Sequence, residues 1–357
     1  MDEILNSELS SLGINDFLIN AEKYTNNIFT NLNIKELFYD SLSGNIGNNL
    51  RHIGIFDIFS REFTEATGVA ISVLIIIIIH SIFKAIIEGL DNSGVSKIAY
   101  FIQYLLITTI IINSMVSIIE ITKSTISNIV DFMNLLMPFM TTLMLTTGMV
   151  TTTSIMEPIL LFMISFIGNF INLFIIPLLL VSITINVVSN FSDKIQLNRL
   201  SKFLESSIIW ILGIILTIFA STLSLQGTLT NSVDTVANKT AKMAVSNLIP
   251  IVGKIMGDTV DSVIGCANIL KNSIGTIGII IIIGIVIIPI IKILALCITF
   301  KMVASVTEVI SDTKIVNLLD KASDSYKVLL AILFSVSIMF IVGLSIVLKI
   351  TNSSLIR

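Results

Sequence analysis

Along the chain, long apolar runs alternate with short polar interruptions, and the runs exceed what a soluble core element needs. Crossing a bilayer takes about 20 largely apolar residues. Six segments reach that length: residues 67–87, 98–119, 158–188, 207–226, 276–297 and 328–349. The third is overlong and interrupted by Gly168, Asn169, Asn172 and Pro177, which predicts a helix that tilts, kinks or extends past the membrane. Two further stretches, 134–157 and 243–275, are moderately apolar but poor spans. They predict re-entrant or interfacial helical segments, with irregular backbone buried in protein rather than in lipid. The expected fold is all-α: a polytopic integral membrane protein with about six transmembrane helices and these two additional segments.

Residues 1–66 follow a different pattern. Amphipathic patches such as "INDFLINAEKY" and "NIKELFYDSL" predict short helices, with "SGNIGNN" as a turn between elements. Ten acidic residues stand there against four basic ones. This divides the chain into an acidic extramembrane helical segment, 1–66, and a membrane domain, 67–357. The opening "MDEILNSELSSL" lacks the basic and apolar regions of a signal peptide.

Composition reinforces the membrane reading. Apolar residues make up 54% of the 357-residue chain and charged residues only 13%, about half the charge of a soluble domain. Mean hydropathy is +0.97. The formal net charge of −3 points neither to nucleic acid nor to an acidic substrate. Two cysteines, Cys266 and Cys297, are too few for a disulfide framework or a four-cysteine zinc site. Metalloprotease, serine-hydrolase and P-loop motifs are absent, so no catalytic residue, metal or cofactor is expected.

Basic residues orient the spans. Loops 189–206 (Lys194, Arg199, Lys202) and 298–327 (Lys301, Lys314, Lys321, Lys327) both fall inside if the N-terminus is outside and six segments cross. Lys292 then lies near an inner end, where it can snorkel. The two weak segments would enter from, or lie on, the outer face. A faint parallel repeat accompanies this arrangement: Pro138 and Pro250 are 112 positions apart, as are Pro177 and Pro289. "IQLNRLSK" (195–202) and "KIVNLLDK" (314–321) match at an offset of 119. Two crossings per unit preserve orientation, as in some transporters.

The stretch "NLIPIVGKIMGDTVDSVIGCANILKNSIG", 247–275, carries the sharpest features. Gly253, Gly257, Asp261 and Gly265 recur every four residues, the small-residue spacing that lets helices approach. Lys254 and Asp258 are also four apart and can pair across a turn. An ionisable residue at membrane depth needs a partner or a watery cavity. With Pro250, these residues are candidates for lining a conduit or packing helices; solvated charges on an outer loop are the alternative. By the repeat, their counterparts are Pro138, Gly148 and Glu157, with a threonine-rich run whose hydroxyls either bond to their own helix or line a polar path. Glu157 is a candidate to interact with a following helix start.

The acidic N-terminal segment, "LLMPFMTTLMLTTGMVTTTSIMEP" and "AKMAVSNLIPIVGKIMGDTVDSV" followed by "LKNSIGTIG" together resemble the stage III sporulation protein AE family of endospore-forming Firmicutes. The resemblance covers nearly the whole chain. It implies a multi-pass, non-enzymatic protein of the mother-cell membrane around the forespore, acting after engulfment. It further implies a subunit of a secretion-like channel, or feeding tube. Its partners would be the other stage III A-series membrane proteins with their ATPase and, indirectly, the forespore's stage II sporulation protein Q. Membrane lipid is a further expected partner, nucleic acid is not, and a homo-oligomer is left open. Members commonly begin with a cleavable signal peptide, from which this chain's opening departs. The alternatives are a stand-alone secondary transporter or permease, using Lys254, Asp258 and Asp261, and a non-conducting membrane scaffold.

Overall fold

The structure, a computed structural model, describes residues 13–24, 34–43, 55–88, 93–191, 197–248 and 252–352. Their regular elements are all helical: α1 (Ile14–Glu22), α2 (Ile34–Ser43), α3 (Ile55–Glu88), α4 (Ser93–Thr146), α5 (Val150–Phe170), a π turn (Ile171–Ile175), α6 (Ile176–Phe191), α7 (Asn198–Leu248), α8 (Val252–Ile310) and α9 (Thr313–Asn352). Six stretches are long and apolar enough to cross a membrane: Phe56–Phe83, Tyr104–Thr146, Val150–Ser189, Asn198–Gln226, Ile264–Ile310 and Thr313–Lys349. The runs of β-branched isoleucine would favour strands in a soluble protein. In hydrocarbon every N–H and C=O needs an internal partner, so helix prevails.

Several helices are far longer than a crossing. α4 has 54 residues and α8 has 59, about 80–90 Å at 1.5 Å per residue, against a hydrocarbon core of about 30 Å. α3 begins at Ile55, so the polar-to-apolar change near residue 66 falls inside one continuous helix. Residues 134–146 likewise extend α4 without interruption. α1 and α2 are the two amphipathic patches. Phe17 of α1 packs on Phe139 of α4 with ring centroids 5.0 Å apart, and Tyr24, just past α1, meets Phe132 at 5.6 Å.

Side-chain contacts set the relative directions of the helices. Along α4, Tyr326 of α9 reaches Ser114, and Leu136 lies against Gly278 of α8, where an added methyl would come within 2.7 Å of its Cδ2. α4 also meets the α5–α6 arm twice: Val130 beside Gly168, and Tyr104 donating to the Val187 carbonyl at 3.1 Å. The hairpin of α5–α6 with α7 lies beside the hairpin of α8 with α9, corresponding helices running the same way. Phe219 of α7 packs on Phe340 of α9 at 6.5 Å. A parallel repeat requires this arrangement.

The prolines are absorbed locally. Pro177 follows the π turn, whose wider winding relieves the clash between a proline ring and the preceding turn. Pro138 lies within α4, and the Thr141 and Thr142 hydroxyls donate to its carbonyl at 3.0 and 2.8 Å. Pro158 and Pro289 also lie inside helices, in α5 and α8.

Two outward apolar belts differ in height. α3 runs parallel to α8, with Glu65 bonded to Lys292 and the Ser81 hydroxyl donating to the Ile310 carbonyl at 2.6 Å. Its exposed Ile71, Ile75, Ile79 and Ile82 therefore stand beside the last turns of α8, as do Phe101 and Leu105 of α4. On the opposite side, exposed apolar surface runs from Leu200 and Phe203, near the last turns of α8, through Trp210 and Leu173 to Phe166 and Phe162 beside its middle. Below its apolar half, the outer face of α4 turns polar, exposing Glu120, Ser124, Ser127, Asn128 and Asp131.

Candidate functional site

Gly148 forms the turn between α4 and α5. Its φ is 79°, a left-handed conformation that favours glycine. The Met149 N–H donates to the Met144 carbonyl at 3.1 Å and the Gly148 N–H to Leu145 at 3.0 Å, the paired bonds of a Schellman ending. A valine here must hold the left-handed region with a branched side chain. Gly148→Val is expected to cost about 1–2 kcal/mol, read as a lower thermal midpoint in detergent micelles with helix content unchanged.

α5 starts without a local cap, since Met149 has no side chain to accept the exposed N–H groups. The acceptor arrives from α7. Both carboxylate oxygens of Asp234 are used: the Thr151 N–H donates to Oδ1 at 2.9 Å and the Thr152 N–H to Oδ2 at 2.7 Å. Asp234 is only 3% exposed. Burial pushes its pKa up, but the bonds from Thr152 and Thr151 outweigh that and hold it below the ordinary 3.8. The sign follows from linkage: a depressed native pKa gives stability that is complete well above pH 3.8 and is lost as pH falls through the native value. Acid titration below about pH 4 should therefore raise amide exchange at Thr151 and Thr152 before the α8–α9 core opens.

The other threonines of this region bond mainly to their own helices. Thr146, Thr147 and Thr153 donate to Leu143, Met144 and Met149 carbonyls at 2.8, 2.7 and 2.7 Å. Glu157 is half-buried within α5; the carboxylate that accepts from that helix's first N–H groups is Asp234. No ionisable partner joins Glu157 to Gly148 or Pro138 among the described contacts.

Of the second stretch, Pro250 lies outside the described residues. Gly253, Lys254, Gly257, Asp258 and Asp261 belong to the first turns of α8, and their side chains lie outside the described ones. A methyl group at Gly265 would meet nothing within 4 Å. Close approach comes further along, at Gly275 against Leu348 and at Gly278 against Leu136 and Leu344. Lys271 is completely buried and donates to Asn268 Oδ1 at 2.7 Å, its one side-chain partner among the described residues. Cys266 and Cys297 are both buried and unpaired in disulfides.

Two polar clusters escaped the sequence reading. In the first, Glu205 of α7 accepts from Asn186 of α6 at 3.0 Å and from Ser182 at 3.2 Å, while Ser201 donates to Asn186 at 2.5 Å. Lys321 of α9 bonds Asn198, so this network ties α6, α7 and α9 together. The second joins α3 to α8. Lys292 bonds Glu65 at 2.5 Å and stands 3.5 Å from Glu62, which is 4% exposed. A cavity of about 370 Å³ opens beside them, walled by α3, α4 and α8. Glu62 and Lys292 are 230 positions apart, beyond any local spacing rule.

A profile of the family described as Stage III sporulation protein AE matches residues 32–351. The chain belongs to the stage III sporulation protein AE family. The family's Bacillus subtilis (strain 168) protein, named Stage III sporulation protein AE, is 28% identical over 298 residues, covering 83% of this chain and 75% of its own length. No solved structure matches the chain. Both names are those of sporulation proteins, and neither describes an enzyme. Within the stage III sporulation protein AE family, this chain is a helical sporulation protein with six membrane-length apolar stretches. The match includes α2 and every longer helix.

Proposed function

We propose that the protein is an integral membrane subunit of a secretion-like channel, or feeding tube, between mother cell and forespore. It sits as a multi-pass protein in the mother-cell membrane around the forespore and is needed for forespore development after engulfment. Its partners are the other stage III A-series membrane proteins and their ATPase, with stage II sporulation protein Q engaged indirectly. The observation that carries this reading is the helical extension beyond the spans. α7 continues through the polar run 227–248, and α8 begins at Val252, ahead of the apolar run that starts at residue 276. The α7 extension alone is about 33 Å long. It offers other proteins a rigid surface outside the lipid.

Complementation tests the role. The full chain should restore late forespore gene expression to sporulating cells lacking their own family member, and should co-purify with the A-series proteins from engulfed cells. Normal sporulation without any family member would defeat the proposal. The ion-paired cavity at Lys292 favours a second reading, a stand-alone permease. Solute uptake by proteoliposomes containing this chain alone would support that alternative.

A further inference from the structure

The cavity between α3, α4 and α8 has one charged wall and one neutral polar wall. On the charged wall, Arg61 occupies Glu62 Oε1 at 3.1 and 3.3 Å. Glu62 Oε2 is buried and accepts no hydrogen bond. Lys292 Nζ is 3.5 Å from it, an ion-pair distance, while its short bond goes to Glu65 at 2.5 Å. Across the cavity stand Asn113, Ser114 and Ser117 of α4. Ser114 accepts from the Tyr326 hydroxyl at 2.8 Å, which leaves its own proton to donate. The remaining lining is mostly aliphatic.

A buried carboxylate oxygen that has a cation only at ion-pair distance and no hydrogen bond is under-satisfied. A lone cation there would face Lys292, and a lone anion would face Glu62. A ligand carrying both charges answers Glu62 and Lys292 together. We propose that this cavity binds a small zwitterion, its ammonium donating to Glu62 and its anionic group accepting from Lys292 and the Ser114 hydroxyl, with an aliphatic body against the apolar lining. A free aliphatic amino acid and the headgroup of an aminophospholipid share this chemistry. The site does not depend on whether the protein acts in a channel or alone.

Binding to the full chain tests the proposal and separates the two sources. In phospholipid-free micelles, radiolabelled leucine is titrated by equilibrium dialysis, with isoamylamine and 4-methylvalerate as ammonium-only and carboxylate-only competitors. In nanodiscs, retention of phosphatidylethanolamine is compared with phosphatidylglycerol by native mass spectrometry. Saturable leucine binding with weak competition by either analogue identifies a free amino acid. Selective phosphatidylethanolamine retention identifies the lipid. Either signal should fall by at least about tenfold in Glu62→Gln, which loses a charge-assisted bond. It should fall similarly in Ser117→Leu, which fills the cavity and leaves the ion pair intact. Both variants are checked for wild-type elution and melting; should Glu62→Gln misfold, Ser117→Leu still decides. The proposal is overturned if neither leucine nor phosphatidylethanolamine binds selectively, if isoamylamine competes as well as leucine, or if Ser117→Leu binds like the wild type.

Discussion

Asp234→Ala is expected to destabilise the protein by about 2–3 kcal/mol and to free the start of α5. The substitution removes two charge-assisted acceptors and leaves the N–H groups of Thr151 and Thr152 without their shared partner. Thr152 is fully buried, so water is poorly placed to replace the bond. The loss should appear as a lower melting midpoint and as faster exchange at those two amides. Asp234→Asn keeps one acceptor oxygen and should fall between wild type and alanine. Unchanged exchange at Thr151 and Thr152 in the alanine variant would show that another group caps the helix.

Gly278→Leu should cost about 2–3 kcal/mol by overpacking. At Gly278 both α4 and α9 close on one backbone position of α8: an added methyl would lie 2.7 Å from Leu136 Cδ2 and 2.9 Å from Leu344 Cδ2. Those leucine tips can yield to an alanine at modest cost, but four carbons require the helices to separate. Gly265→Leu on the same helix is the control, because its first carbon meets open space. Equal melting of the two leucine variants would mean that the three-helix contact contributes nothing measurable.

Much of the architecture is written in local patterns. The patches around Phe17 and Phe38 carry helical spacing, and both side chains are fully buried. The long apolar runs could only become helices. The change of composition near residue 66 coincides with no helix end, because composition reports the surrounding solvent. Helix continuity needs only the absence of a breaker, and none lies between Ile55 and Glu88 except the tolerated Gly68. In sequence Gly148 stands only as a candidate for lining or packing; its place in a turn is set by the paired Schellman bonds.

Partners distant in sequence were not legible. Asp234 caps a helix that starts 84 positions earlier, at Val150. Its own neighbourhood, "TNSVDTVANK", reads as an ordinary polar helix. Lys292 followed the snorkelling rule in sequence, yet it meets Glu62 and Glu65 at the start of another helix. Periodicity shows that a charge occurs in an apolar span; it does not identify the helix that answers it.

The unequal heights of the two apolar belts affect the lipid around the protein. α3 is registered on α8 by the Glu65–Lys292 and Ser81–Ile310 contacts, so its belt stands beside the last turns of α8, whereas the belt on α5–α7 runs from Leu200 and Phe203, near that level, on to Phe162 and Phe166 beside the middle of α8. The α5–α7 belt thus extends further along α8 than the α3 belt does, and a leaning bundle covers more of both than an upright one. At a lean of about 30°, a 30 Å core lengthens to about 35 Å along each helix, or about 23 residues. The apolar stretches of 40 residues in Val150–Ser189 and 47 in Ile264–Ile310 accommodate that path. A seat of that kind is set by side-chain contacts between helices rather than by the length of any one apolar stretch.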